Sequence, residues 1–307
     1  MEFIHKSVLF DEAIESLNVD GSKIILDGTA GGGGHSSEIA KKAKLLIAVD
    51  QDPDAISVLN ERLGDRENVR IVQNNFENIK EIVSSLGIEK IDGVLLDLGV
   101  SSFQLDTADR GFSFHSDAEL DMRMSKSGLS AKDVVNTYSK EALTDILYRY
   151  GEEKFAPRIA ANIVQARQEK PIETTFELNE IIKIAIPAKM REKGGHPSKR
   201  TYQALRIECN KELEVLKDSL DDMIDCLKDE GRLCIITFHS LEDRAVKNNF
   251  RTNENPCTCP PNFPVCVCGK VSKGKVVNKK PIIASEEEMN ENPRSQSAKL
   301  RIFEKRG

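Results

Sequence analysis

Apolar and amphipathic segments alternate along the first hundred residues of the chain. The apolar runs are typical of buried parallel strands, and the segments between them have the 3.6-residue period of helices, as over Ala55–Leu63 after Asp52-Pro53. Successive strand–helix units predict a parallel sheet with right-handed crossovers. The predicted strands are Lys23–Leu26, Leu45–Val49, Val69–Val72 and Ile91–Leu96.

The pattern changes after residue 105. Residues 106–210 contain several amphipathic helical stretches and no convincing strand, so they are predicted to form a helical insertion. The helices predicted within it are Ala131–Asn136, Glu141–Tyr148, Phe155–Glu169 and Phe176–Ile186.

Strand character returns in the last third of the chain. One long helix is predicted over Gln203–Lys228, followed by a turn at Gly231, a strand over Arg232–Phe238, an aperiodic loop over Asn253–Lys280 and a closing strand over Ala298–Phe303. The predicted fold class is therefore α/β, with a discontinuous sheet domain interrupted by a helical domain. Their predicted boundaries are 1–105 together with 211–307 for the sheet domain, and 106–210 for the helical domain.

The composition, 39% hydrophobic and 31% charged residues in a chain of 307, is that of an ordinary globular protein. No apolar run approaches the ~20 residues of a membrane span, and Met1–Asp11 lacks the apolar core of a signal peptide, so we expect a cytoplasmic location. The net charge is −6, but residues 247–307 carry +6 and residues 1–246 carry −12. This basic segment suits either a nucleic-acid partner or a solubilising tail.

A glycine-rich loop, Gly28–Gly34, follows the first predicted strand and precedes a predicted helix over Ser37–Ala43. Glycines let the backbone turn sharply and approach a ligand, and the start of a helix presents backbone N–H groups. No register has glycines at relative positions one, three and six, and no Gly-Lys-Ser/Thr follows, so neither the dinucleotide fingerprint nor the P-loop fits. The loop is either a nucleoside-binding turn of another kind or a structural turn.

Polar or aromatic residues follow three of the predicted strands. Asp50 ends the second strand, 22 residues after Gly28, where an acid can accept hydrogen bonds from ribose hydroxyls or can cap a helix. Phe76 follows the third strand and either covers an adenine ring or packs in the core. Asp97 ends the fourth strand, at the edge where open α/β sheets bind ligands.

Asp27-x-Thr29-x-Gly31-x-Gly33 resembles the first motif of class I S-adenosylmethionine methyltransferases, with Thr29 in place of the usual first glycine. The chain from His5 to its C-terminus is similar to one group of them, the MraW (RsmH) family of bacterial 16S rRNA cytosine-N4 methyltransferases. The motifs that carry this resemblance are, in order, Gly28-Thr29-x-Gly31-x-Gly33-Gly34-His35-Ser36, Asp97-Leu98-Gly99-Val100-Ser101-Ser102, Arg110-Gly111-Phe112-Ser113-Phe114, Leu120-Asp121-Met122-Arg123-Met124 and Phe238-His239-Ser240-Leu241-Glu242-Asp243-Arg244.

The resemblance implies a Rossmann-like class I methyltransferase sheet with an inserted all-helical domain, and S-adenosylmethionine as the cofactor. It implies N4-methylation of a cytosine, position 1402 by the usual convention, in the decoding centre of 16S rRNA in the small ribosomal subunit. The cofactor contacts that carry over from the family are Gly33, Gly34, His35, Asp50, Phe76, Asp97 and Gln104.

Asp97 is the predicted catalytic residue. The N4 lone pair of cytosine is delocalised into the ring, and an acceptor for its N–H bonds would localise that pair. Many amino methyltransferases place Asn or Asp, Pro-Pro and an aromatic residue at this strand end, whereas here Leu98-Gly99-Val100 follow Asp97. Asp97 is therefore expected to bind the cofactor, the target amine or both, while His239 is either a general base or a structural histidine and is not assigned.

The basic stretch Lys189–Arg200 within the helical insertion is predicted to contact RNA phosphates, with Lys199 and Arg200 as the candidates, although a solvated loop would have the same composition. Two competing functions remain. A nicotinamide-dependent dehydrogenase would also have a glycine loop and an acid at Asp50, but this chain lacks the dinucleotide fingerprint that such an enzyme needs. A ribosome-assembly factor could keep the cofactor pocket without catalysing a reaction.

The cysteines Cys257, Cys259, Cys266 and Cys268 form two C-x-C units within twelve residues. Four such thiolates could hold a tetrahedral zinc ion, but zinc loops more often use C-x₂-C, and a metal-free loop has the same sequence. The sequence alone therefore assigns no metal, and it does not indicate an oligomeric state.

Overall fold

The computed structural model describes residues 7–191, 196–260, 265 and 267–307. Within this part of the chain, seven strands form one sheet in the order β3-β2-β1-β4-β5-β7-β6. The first five strands in this order are parallel, and β7 runs antiparallel to both β5 and β6. The strands are β1 Ile24–Asp27, β2 Leu45–Asp50, β3 Val69–Gln73, β4 Ile91–Asp97, β5 Leu227–Thr237, β6 Gly274–Val276 and β7 Lys299–Lys305.

The chain divides into two compact units, Met1–Gly99 with Leu213–Gly307, and Val100–Glu212. The helices, in chain order, are α1 Phe10–Leu17, α2 Gly34–Lys42, α3 Pro53–Leu63, α4 Ile79–Ser85, α5 Ser102–Asp106, α6 Ala131–Thr137, α7 Lys140–Arg149, α8 Ala156–Glu169, α9 Thr175–Ala185, α10 Ala188–Arg191, α11 Lys199–Asn210, α12 Glu212–Cys226, α13 Ser240–Glu254 and α14 Glu286–Glu291. Short 3₁₀ turns occur at Phe76–Asn78, Ala108–Arg110 and Pro293–Ser297.

The first unit buries both faces of its sheet. Alternate strand residues belong to two separate apolar clusters, so that Leu95 packs in the cluster that contains residues of α1, α2 and α3, and Leu96 in the cluster that contains residues of α4, α12 and α13. Strands covered on both faces have near-continuous apolar sequences, which is why they could be predicted. The α/β fold class and all six predicted strands are confirmed, with strand ends that are unchanged or shifted by up to five residues.

The second unit is built from helices α5 to α11, among which α8 contacts α6, α7 and α9. Three of these helices begin with capping boxes, in which Ser101, Ser130 and Thr174 accept from the backbone of the residue three positions on. The buried face of α8, Ile159 and Ile163, supplies part of its core. The predicted all-helical insertion is confirmed.

The single helix predicted over Gln203–Lys228 is wrong, because it is two helices separated at Lys211, which has φ = +51°. Asn210 ends the first helix: its Nδ2 donates to the Met122 carbonyl at 2.8 Å, and its Oδ1 accepts from the Met124 N–H at 2.8 Å. Lys211 takes the left-handed conformation that glycine more often supplies at a helix end, next to an Asn210 side chain that is bonded to backbone outside the helix.

Two further details differ from the prediction. The strand predicted from Arg232 begins at Leu227, and its pairing with β4 jumps from Leu227 to Arg232 across a bulge. The loop predicted over Asn253–Lys280 contains β6, which has only three residues and so gives no detectable period. Within the described residues, no helix is long and apolar enough to cross a bilayer.

Candidate active site

Three carboxyl groups end three adjacent strands of the sheet. Asp27, Asp50 and Asp97 are the last residues of β1, β2 and β4, and β1 lies between the other two. Because these strands are parallel, their carboxyl ends share one edge of the sheet, where open α/β sheets bind ligands.

The glycine loop connects β1 to α2 at this edge. Gly31 and Gly33 have φ of +51° and +83°, and Gly33 is the N-cap of α2 with no side-chain cap for the first N–H groups of the helix. A Cβ on Gly34 would collide with Ser7 Oγ, whereas a Cβ on Gly32 would meet no atom within 4 Å. The loop therefore needs glycine at positions 31 and 33 for its backbone conformation and at position 34 for its packing on Ser7, and it is open beside Gly32.

Asp50 holds the loop against the end of β2. Its Oδ2 accepts from the Gly31 N–H and its Oδ1 from the Asp52 N–H, each at 2.8 Å. Burial raises its pKa, and these hydrogen bonds oppose the rise. Each oxygen can accept a further hydrogen bond, so the predicted ribose role and a role in shaping the loop are compatible.

Asp97 is fixed by its backbone but not by its side chain. Its N–H donates to Thr29 Oγ1 at 2.6 Å, while its Oδ1 is buried and has no hydrogen-bond partner among the described residues. Burial above all, with the negative charges of Asp27 and Glu242, raises the pKa of Asp97 to about 8. A buried carboxyl oxygen without a donor is a place for a ligand that brings a donor or a positive charge.

His35 lies beside Asp97, with 3.8 Å between His35 Nδ1 and Asp97 Oδ2. Burial lowers the pKa of His35 to about 4, so the imidazole is neutral at physiological pH and the contact is not an ion pair. The ring stacks on Phe10 at a centroid distance of 5.6 Å. His35 is thus a packed residue whose backbone lies in the first turn of α2.

Asp27 is a site residue that we did not assign from the sequence, although the first motif contains it. Its Oδ2 accepts from Ser36 Oγ at 2.6 Å, and burial above all raises its pKa to about 6. It links β1 to α2 and adds negative charge beside Asp97. The one feature of the sequence that could have pointed to Asp27 is its place as the first residue of that motif.

His239 caps helix α13. Its Nδ1 accepts from the Glu242 N–H at 3.3 Å, and its Nε2 lies 3.1 Å from Glu242 Oε1. Glu242 is buried and accepts through Oε2 from the Phe238 N–H at 2.8 Å. These contacts favour the structural alternative for His239.

The other predicted residues have defined local positions. Phe76 is partly buried against the α4–α12–α13 side of the core, and a Cβ on Gly28 would lie 3.0 Å from Phe76 Cβ. Gln104 belongs to the second unit, where its Oε1 accepts from the Ser101 N–H at 3.0 Å. Lys199 and Arg200 are exposed at the start of α11, and Arg200 Nη1 donates to the Glu152 carbonyl at 2.8 Å.

A parallel sheet with an antiparallel β7, a glycine loop after β1 and acids ending β2 and β4 define a class I S-adenosylmethionine-dependent methyltransferase. The sequence profile of the MraW methylase family matches residues 2–306. The chain belongs to this family.

Similar proteins cover the chain almost completely. Proteins named ribosomal RNA small subunit methyltransferase H from Lachnospira eligens and Clostridium botulinum are 62% and 56% identical; the matches cover 99% of this chain and 98% and 100% of theirs. Among solved structures, an rRNA methylase from Streptococcus thermophilus is 13% identical with a TM-score of 0.43, covering 97% of this chain and 94% of that chain.

Proposed function

We propose that this protein transfers the methyl group of S-adenosylmethionine to the exocyclic N4 of a cytosine, position 1402 by the usual convention, in the decoding centre of 16S rRNA. Family membership and the names of the relatives support an rRNA substrate in the small ribosomal subunit, and we place the reaction in the cytoplasm. The observation that carries the proposal is the buried Asp97 Oδ1 beside the glycine loop, which has no partner among the described residues.

The donor set of the site fits this cofactor. When bound, S-adenosylmethionine supplies an activated methyl group on a sulfonium whose leaving group is a neutral thioether. Three carboxyl groups at one sheet edge suit a cationic ligand, and Asp50 has lone pairs left for ribose hydroxyls. We assign the cofactor contacts to Gly33, Gly34, His35, Asp50, Phe76, Asp97 and Gln104.

Asp97 is the proposed catalytic residue. Its carboxylate accepts an N–H of the target amine, which turns the nitrogen lone pair out of the ring plane and towards the methyl carbon. When the bound cofactor methylates this nitrogen, Asp97 Oδ1 would accept the proton that the amine loses, and would release it to water once the products have left. A pKa of about 8 suits a base that must accept and release a proton near neutral pH.

The helical unit is the proposed RNA-binding part. Extruding a base from a folded RNA costs a few kcal/mol, which phosphate contacts elsewhere can offset. Lys199 is exposed, and Arg200 commits one guanidinium nitrogen to the Glu152 carbonyl. Three residues before Lys199, the exposed His196 ring stacks on Phe114 at 4.4 Å, a type of surface on which unpaired bases stack. The part of the basic stretch at 192–195 lies outside the described residues.

The test is mass spectrometry of 16S rRNA in small subunits from a strain that lacks the gene, after incubation with S-adenosylmethionine and the protein. We expect one methyl group on N4 of one decoding-centre cytosine. Asp97→Asn should abolish it, and Asp65→Asn, an exposed aspartate on the same unit, should not. Methylation of another atom or nucleotide, or full activity in Asp97→Asn, would refute the assignment. Cofactor binding with no methylation of any subunit or RNA would indicate an assembly factor instead.

A further inference from the structure

A long loop joins α13 to β6 and returns to the point from which it leaves. At its neck the Lys273 N–H donates to the Asn253 carbonyl at 2.9 Å, and the Val276 N–H donates to Glu254 Oε1 at 2.9 Å. No described residue between 255 and 273 belongs to a helix or strand. Loops of this length without secondary structure are uncommon in compact units and are usually functional or linker segments, so an ordered conformation here requires contacts other than backbone pairing.

Apolar burial does not order this loop. Its valines are exposed, with 69% of Val265, 72% of Val267 and 81% of Val271 accessible to solvent. None of the described residues from 255 to 273 is buried. Small folding units that lack a core of their own are usually stabilised by disulfide bonds or a metal ion, and the same devices can hold an exposed loop.

Three cysteine thiols converge within the loop. The Sγ atoms of Cys257, Cys259 and Cys268 all lie within 4.8 Å of one another. The Cys257 and Cys268 sulfurs are 3.9 Å apart, much farther than the ~2.05 Å of a disulfide bond. Two thiolates on one tetrahedral zinc ion, each at ~2.3 Å from the metal, are separated by about 3.8 Å, which is the spacing found here.

The backbone also supplies a hydrogen bond to this cluster, because the Val267 N–H donates to Cys259 Sγ at 3.3 Å. Thiolate sulfur is a soft ligand that selects zinc over the hard cations magnesium and calcium.

We propose that Cys257, Cys259 and Cys268 hold a structural zinc ion that orders the loop between α13 and β6. Structural zinc sites are tetrahedral and closed, so a fourth ligand completes the set. Cys266 lies outside the described residues, and the proposal rests on the other three thiols. This site is independent of the methyl-transfer proposal, since it belongs to a different loop and contributes no group to that reaction.

The test uses the full chain purified under reducing conditions without chelators, with its metal content measured by inductively coupled plasma mass spectrometry. We expect about one zinc per chain, falling at least several-fold in Cys257→Ser, Cys259→Ser and Cys268→Ser. Cys209→Ser, which removes a thiol from helix α11 of the other unit, should keep its zinc. Zinc content that is the same in the loop variants and in the wild type would refute the proposal.

A second measurement does not depend on any variant folding. After metal removal, the reduced wild-type chain should bind one cobalt(II) ion. The complex should show intense thiolate-to-cobalt charge-transfer bands and the ligand-field bands of tetrahedral cobalt, and added zinc should abolish both. Proteolysis within residues 255–273 should be faster in the metal-free protein than in the zinc-loaded protein. A chain that binds no cobalt, or binds it with an octahedral, thiolate-free spectrum, would overturn the proposal.

Discussion

Asp97→Asn keeps the shape of the side chain and removes its ability to ionise. It therefore measures how much the carboxyl group of Asp97 lowers the free energy of unfolding. The pKa of Asp97 is raised from its ordinary 3.8 to about 8 by burial and by the charges of Asp27 and Glu242. Between these two values the unfolded chain is ionised while the folded protein keeps its proton. The free energy of unfolding of the ligand-free protein therefore falls as the pH rises from about 4 to about 8.

The size of the loss follows from the shift. Each pH unit inside this window lowers the free energy of unfolding by about 1.4 kcal/mol, so the loss at pH 7 is on the order of 4 kcal/mol. Asparagine does not titrate, so the variant does not lose this part of its free energy of unfolding. We expect Asp97→Asn to be more stable than the wild type by roughly this amount at pH 7, and nearly equal to it at pH 4.

The assay is urea unfolding of both proteins without cofactor, followed by circular dichroism at several pH values between 4 and 8. Asp27, with a pKa of about 6, contributes a loss of the same sign, but it does so in both proteins, and the difference between them isolates Asp97. Asp65→Asn should follow the wild type throughout. If Asp97→Asn and the wild type have the same stability at pH 8, the carboxyl group is not destabilised in the fold, and our reason for assigning it to a cationic ligand is lost.

Three further outcomes are expected. By calorimetry, wild-type affinity for S-adenosylmethionine should rise with pH up to about 8, because the cation favours ionised Asp97; Asp97→Asn should bind weakly and lack the rise above about pH 6, where Asp27 is already ionised, and a flat wild-type profile would contradict this. Thermal unfolding should show Gly33→Ala, forced to φ = +83°, destabilised by about 1–2 kcal/mol, with Gly32→Ala in open space nearly neutral; equal effects would exclude the strain argument. Lys199→Glu with Arg200→Glu should weaken RNA binding at low salt and reduce the log–log salt slope by about 2, and unchanged affinity would remove both from the interface.

Much of the sheet could be predicted because burial on both faces leaves parallel strands continuously apolar. The same logic predicted the site's position: Asp50 and Asp97 follow apolar runs at strand ends, and parallel strands present those ends on one edge. The pattern could not reveal Lys211 as a helix break, because the cause is the hydrogen bonding of Asn210 to Met122 and Met124, distant in sequence.

The electrostatic character of the site was likewise beyond the sequence. The pKa of Asp97 depends on how deeply its carboxyl group is buried and on its distance from Asp27 and Glu242. These three acidic residues belong to three separate sequence motifs. Glu242 in turn is held by the cap of α13, where it meets His239 and the Phe238 N–H. A motif specifies which residues are present, but only the packing determines how close their charged groups lie and how far their pKa values are shifted.

The raised pKa of Asp97 also bears on the end of the proposed reaction. The substrate form of the cofactor is a sulfonium cation, whereas the product is a neutral thioether, so methyl transfer removes a positive charge from the carboxylate's surroundings. A carboxyl group whose pKa is about 8 without a cation nearby then keeps the proton it has received. The site's burial, which destabilises the ligand-free protein, would in this way favour the charged substrate over its uncharged-sulfur product.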